Sequence, residues 1–109
     1  RDYVFVGDVV SANLLAAELE LDAGRGLDSR GYNVGTGVAT SVNGLADTLE
    51  RVAGGGAGRN HAAARPGELQ NSTLDVTRLR ARGWAPSRTL EEGLAETYHW
   101  IAARNGGRT

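Results

Sequence analysis

Arg65, Pro66, Gly67 and Glu68 are the residues of this sequence whose types and spacing best suit a bound ligand. Arginine holds five donors in a planar fork that matches a pair of phosphate oxygens. A carboxylate three residues on suits two ribose hydroxyls. Pro66 disfavours helix at Arg65, and Pro-Gly favours a turn that would present both side chains. The same four residues also read as a solvated turn with an incidental ion pair. Arg1 is a second candidate phosphate donor, because it precedes an apolar run and would lie at a sheet edge. Alone it reads equally as a surface charge.

Other constellations carry less. Gly35-Thr36-Gly37 sits between a predicted strand and helix, where a dinucleotide fingerprint would sit. The third glycine position is Thr40, however, and no acid follows at the expected distance in the Gly54–Asn60 linker. A tight turn that lets strand and helix pack closely is the better reading. His61 and His99 are the only histidines, and neither has a partner at metal-ligand spacing. Trp84 and Trp100 read as packing aromatics, since no basic stripe pairs with them. Asp8 and Asp75 read as helix caps, and Ser41 and Ser72 lack histidine–acid partners. All twelve basic residues are arginine, which excludes a lysine base or Schiff base.

The elements that must position these residues alternate. Arg1–Val6 is an apolar run on both faces, which predicts a strand covered on both sides. Asp8 would cap a helix running to Leu19 that is apolar over most of its circumference. Tyr32–Val34 predicts a second strand. Thr40 or Ser41 would cap a helix carrying Val42, Leu45, Ala46, Leu49, Val52 and Ala53 on one face. Gly54–Asn60 has flexible-linker composition, and His61–Leu74 reads as extended, broken at the Arg65–Glu68 turn. Asp75 would cap a short helix, Val76–Arg82, closed by Gly83. Trp84–Pro86 is extended. Thr89 and Glu92 form a capping box for a last helix bearing Leu90, Leu94, Tyr98, Ile101 and Ala102. The expected fold is α/β: a small sheet with at least one parallel pairing, flanked by helices, in a single domain over residues 1–109.

Length and composition bound what such a chain does. With 109 residues it buries about two-thirds of its unfolded surface, so modest stability is expected. A formal net charge of -1 gives no basic footprint for nucleic acid. No cysteine means no disulfide and no thiolate metal site, which suits a reducing, cytoplasmic setting. No apolar run approaches the roughly 20 residues that span a bilayer. The opening on charged Arg1-Asp2 is unlike a signal peptide. The absence of methionine points to a segment of a longer protein, or a processed product.

Five stretches, RDYVFVGDVVSANLLAAE, YNVGTGVATSV, RPGELQNSTLD, GWAPSRTLEEGL and YHWIA, occur in an order that resembles one family. It is the C-terminal portion of NAD-dependent nucleotide-sugar epimerases and dehydratases, extended short-chain dehydrogenase/reductases related to UDP-glucose 4-epimerase. The resemblance covers nearly the whole chain. It implies that an N-terminal Rossmann domain, missing here, binds NAD, and that this portion holds the nucleotide-diphosphate sugar. Arg1 and Arg65 would contact the phosphates and Glu68 the ribose hydroxyls. The family's glycine-rich cofactor loop and its Tyr-x-x-x-Lys pair are absent: Tyr3, Tyr32 and Tyr98 are followed four residues later by Gly7, Thr36 and Ala102. The chain is therefore expected to hold no cofactor and no catalytic residue of its own. Rival readings are a stand-alone nucleotide-binding module and a structural fragment that self-associates. An uncovered first helix would favour a homo-oligomer.

Overall fold

The computed structural model describes residues 1–21, 26, 30–56 and 58–106. The predicted polar loop from Asp22 to Gly31 lies largely outside the described residues, as do Ala57 of the glycine linker and the tail from Gly107. Among the described residues there are four helices: α1 (Val6–Glu18), α2 (Val42–Ala53), α3 (Thr77–Ala81) and α4 (Leu90–Arg104). Helices α2 and α4 pack on each other.

Local chemistry explains where three of these helices start. The Ser41 hydroxyl accepts from Gly44 N–H at 2.9 Å and opens α2. The Thr89 hydroxyl accepts from Glu92 N–H at 3.2 Å and opens α4. The Glu92 carboxylate in turn accepts the Thr89 hydroxyl proton, at 3.0 Å. The Asp75 carboxylate accepts from both the N–H and the hydroxyl of Thr77 at the head of α3, at 3.0 and 2.6 Å.

Helix α1 departs from expectation. It begins at Val6, two residues before Asp8, and its N-cap residue Phe5 makes no side-chain cap. Asp8 instead lies inside the first turn, 2% exposed. Its carboxylate accepts from Ser87 N–H at 2.9 Å, the Ser87 hydroxyl at 2.6 Å and Arg88 N–H at 3.3 Å. The Trp84 indole N–H donates to Asp8 O and to the Ser11 hydroxyl. The chain ahead of α4 is thus fastened to the first turn of α1. Just beyond, the Phe5 ring lies against Gly93 of α4, where a Cβ would stand 3.2 Å from Phe5 Cβ.

Among the described residues the buried core is small: Ala12, Leu79 and Trp84 cluster, with Leu15, Tyr32 and Val34 packed against them, and Val76 is buried as well. The core's size leaves apolar surface uncovered on α1, where Val6, Val10 and Leu14 recur at four-residue spacing at 67%, 51% and 67% exposure. Trp100 of α4, expected to cover a neighbour, is itself 61% exposed and lies under the Arg104 guanidinium. The radius of gyration is 17.1 Å. A compact chain of this length reaches about 13 Å. The chain is therefore more drawn out than a compact domain of its length.

The expected sheet is not formed among the described residues, where no strand is assigned. Residues 1–5 are extended, and Arg1 and Thr40 exchange both backbone hydrogen bonds, at 3.0 and 2.9 Å. That is one rung of a ladder. Residues 32–34 sit beside α3, with Tyr32 and Val34 facing the core and Asn33 donating to Asp75 O at 3.2 Å. Apolar and β-branched residues report a preference for extended, buried backbone; a strand also needs a neighbour to pair with.

Burial pushes the Asp8 carboxyl up. The hydrogen bonds from Ser87 and Arg88 and the Arg88 charge outweigh it and hold the group below its ordinary value of 3.8. The unfolded chain then takes up this proton at a higher pH than the folded one, so the stability Asp8 confers is present above 3.8 and is lost as pH falls below it. Urea unfolding followed by circular dichroism should show stability dropping in that acid range. Asp8→Asn should be less stable at neutral pH and lose less on acidification.

Candidate functional site

The Arg65–Glu68 segment forms the turn its sequence requires. Glu68 N–H bonds Arg65 O at 3.3 Å, and Gly67 has φ 82°. Proline at the second position and a left-handed third residue make this a type II geometry, which a side chain at Gly67 would strain. The Arg65 guanidinium stands 3.9 Å from the Glu68 carboxylate, with the two side chains 85% and 55% exposed. An ion pair so open to water contributes little to stability. Both groups are accessible to a ligand.

Arg1 is brought to the same place. Its guanidinium donates to Leu69 O, the residue after the turn. No local spacing anticipates that contact, which spans 68 positions. A groove of about 480 Å³ opens beside Arg1, lined by Arg1, Asp2, Tyr3, Ser72 and Leu74; Arg65 and Glu68 are not in its lining.

Sequence reasoning passed over Asp2, and the structure makes it the junction of this region. Its carboxylate accepts from Thr36 N–H at 2.8 Å, the Thr36 hydroxyl at 2.7 Å, Gly37 N–H at 2.8 Å and Leu74 N–H at 3.4 Å. Gly35 leaves room for it: a Cβ there would come 2.8 Å from the Asp2 oxygen. Burial raises the Asp2 pKa, but these four donors together bring it below the ordinary 3.8, so Asp2 is an anion at neutral pH. Thr36 and Gly37 of this turn therefore already donate their N–H groups to Asp2. Those are the donors a dinucleotide phosphate would need, so this turn does not fit NAD.

The remaining candidates have structural partners. His61 Nε2 lies 3.1 Å from Asn43 Oδ1, and the His99 ring packs edge-on to Tyr98. Among the described residues no group of three or more histidine, aspartate or glutamate side chains could hold a metal ion. No described helix is long and apolar enough to cross a membrane. The glycine linker is tied down by Arg59, which bridges Glu50 at 2.9 Å and Asp47 at 2.7 Å on α2. A second cleft, about 560 Å³, lies between that linker, α2 and Tyr98, and includes none of Arg1, Arg65 and Glu68 in its lining. Its one guanidinium is paired with Glu50 and Asp47.

No protein-family model matches the chain. It is 34% identical over its whole length to a putative UDP-glucose 4-epimerase of Methanocaldococcus jannaschii, covering 32% of that protein. It is 42% identical over 102 residues to the UDP-glucose 4-epimerase of Mycolicibacterium smegmatis, covering 31% of it, and 36% identical over 105 residues to the GDP-L-fucose synthase of Escherichia coli, covering 32%. A solved UDP-glucose 4-epimerase from Thermotoga maritima, crystallised with UDP-glucose, superimposes with a TM-score of 0.80 at 36% identity. That match covers 96% of this chain and 32% of the other. The chain thus spans about a third of the length of the relatives it matches.

Substituting Gly67 tests the turn directly. Gly67→Ala should cost about 1–2 kcal/mol, the strain of a left-handed alanine, read as a lower urea midpoint.

Proposed function

This chain corresponds to the C-terminal part of UDP-glucose 4-epimerase-like proteins, and from that place we propose that it forms the nucleotide-sugar-binding portion of an NAD-dependent epimerase or dehydratase. Arg1 and Arg65 grip the diphosphate, and Glu68 takes the ribose hydroxyls. The observation that carries this reading is the bond from the Arg1 guanidinium to Leu69 O, which sets the second arginine beside the Arg65–Glu68 turn. Two exposed guanidiniums with an exposed carboxylate match the charges of a nucleoside diphosphate and the hydroxyls of its ribose.

The chemistry on the sugar belongs to another part of the complete protein. These residues include no lysine and no tyrosine–lysine pair. An N-terminal Rossmann domain would hold NAD, which supplies the hydride acceptor. The single domain over residues 1–109 and the parallel pairing expected of it are likewise completed there: the extended residues 1–5 and 31–34 gain neighbours in the parent sheet. What this chain's own residues do is bind and orient.

Titration calorimetry with UDP should give a saturable signal that Arg65→Ala weakens roughly ten-fold or more, the effect of one lost charge-assisted contact. The purified chain supplied with NAD and UDP-glucose should show no turnover; measurable epimerisation would overturn the division of labour.

A second reading concerns assembly and rests on the exposed Val6, Val10 and Leu14 stripe. An apolar helix face of that kind favours association when its natural cover is missing. Light scattering at high concentration should report a dimer or larger species, and a clean monomer counts against it.

A further inference from the structure

We infer that Asp2 is a positioning residue for the diphosphate grip, acting through Arg1. The inference rests on the proposed nucleotide-sugar site. Asp2 touches none of Arg1, Arg65 and Glu68 through its carboxylate; it fixes the backbone that carries them. Its four acceptor contacts join the Thr36–Gly37 turn to Leu74, the end of the extended segment that begins past Glu68. Its neighbour Arg1 is held on the other side by the paired backbone bonds to Thr40 and by its guanidinium on Leu69 O. Three separate stretches of chain, residues 1–2, 36–40 and 69–74, are therefore cross-linked around one carboxylate.

The arrangement requires a carboxylate. Four donors converge on two oxygens, and an asparagine offers one acceptor oxygen and turns an NH2 toward backbone N–H groups. Thr36, Gly37 and Leu74 could not all be satisfied. The 69–74 segment would then leave residues 1–2, and Arg1 would lose the hold on Leu69 O that keeps it next to the Arg65–Glu68 turn. A grip on a flexible charged ligand gains from such pre-set geometry.

The test is UDP titration of the chain with Asp2→Asn, Arg1→Ala, Arg65→Ala and the Asp2→Asn/Arg1→Ala double variant. Leu79→Ala, a core substitution outside the site, serves as a control for lost stability. Asp2→Asn should weaken UDP roughly ten-fold in the otherwise unaltered chain and by less than two-fold once Arg1 is already alanine. A merely structural Asp2 would weaken binding equally in both backgrounds, in step with the Leu79→Ala control, and that result overturns the inference. Unchanged affinity in Asp2→Asn while Arg65→Ala binds weakly also overturns it and leaves the site standing. If the unaltered chain shows no saturable UDP signal, the site reading fails and takes this inference with it.

Discussion

The carboxylate of Asp8 joins two parts of the chain that lie 79 positions apart. It is nearly sealed from water, and every oxygen contact it makes is with the Ser87–Arg88 corner ahead of α4. A buried anion without such donors would be heavily penalised, so the corner and the first turn of α1 have to stay together. Trp84 seals the joint by placing its ring in the core while its N–H bonds the same turn. With so few side chains fully buried, polar clamps of this kind carry much of the long-range organisation that a larger apolar core would otherwise supply.

Asp2 does for the candidate-site side what Asp8 does for the helices. One clamp ties α1 to the corner ahead of α4; the other ties together the segments that bear Arg1 and lead away from Glu68. Both are acids with short side chains, both lie below the ordinary carboxylate pKa because several donors converge on them, and both draw those donors from distant chain. The candidate site is thus built on backbone held from behind, while its own three charged groups remain open to solvent.

The drawn-out shape and the uncovered stripe on α1 have a common cause. Helix α1 is apolar on more faces than this chain can cover: Ala12 and Leu15 turn to the core, and Val6, Val10 and Leu14 are left out. The chain's correspondence to about a third of its relatives' length gives that surplus a natural reading. A surface made to meet the rest of a larger protein is apolar in its absence.

Much of the local structure was legible in the residues. Ser41 and Thr89 cap α2 and α4, Gly83 follows α3, and Pro66-Gly67 makes its turn, because each is decided by neighbours within a few positions. The expected strands are not formed among the described residues for the same reason. The runs at 1–6 and 32–34 have strand-like side chains, but pairing depends on a partner the local sequence does not contain. An acid near a helix start favours a cap, as expected of Asp8; its burial against Ser87 and Arg88 is set by tertiary packing. By itself, the sequence determined where α2 and α4 begin, the turn and the absence of lysine, all properties of residue type and short spacing. Only the tertiary structure decided that Arg1 reaches Leu69 and that Asp2 and Asp8 are junctions, because those contacts close loops of many residues whose ends no local preference brings together.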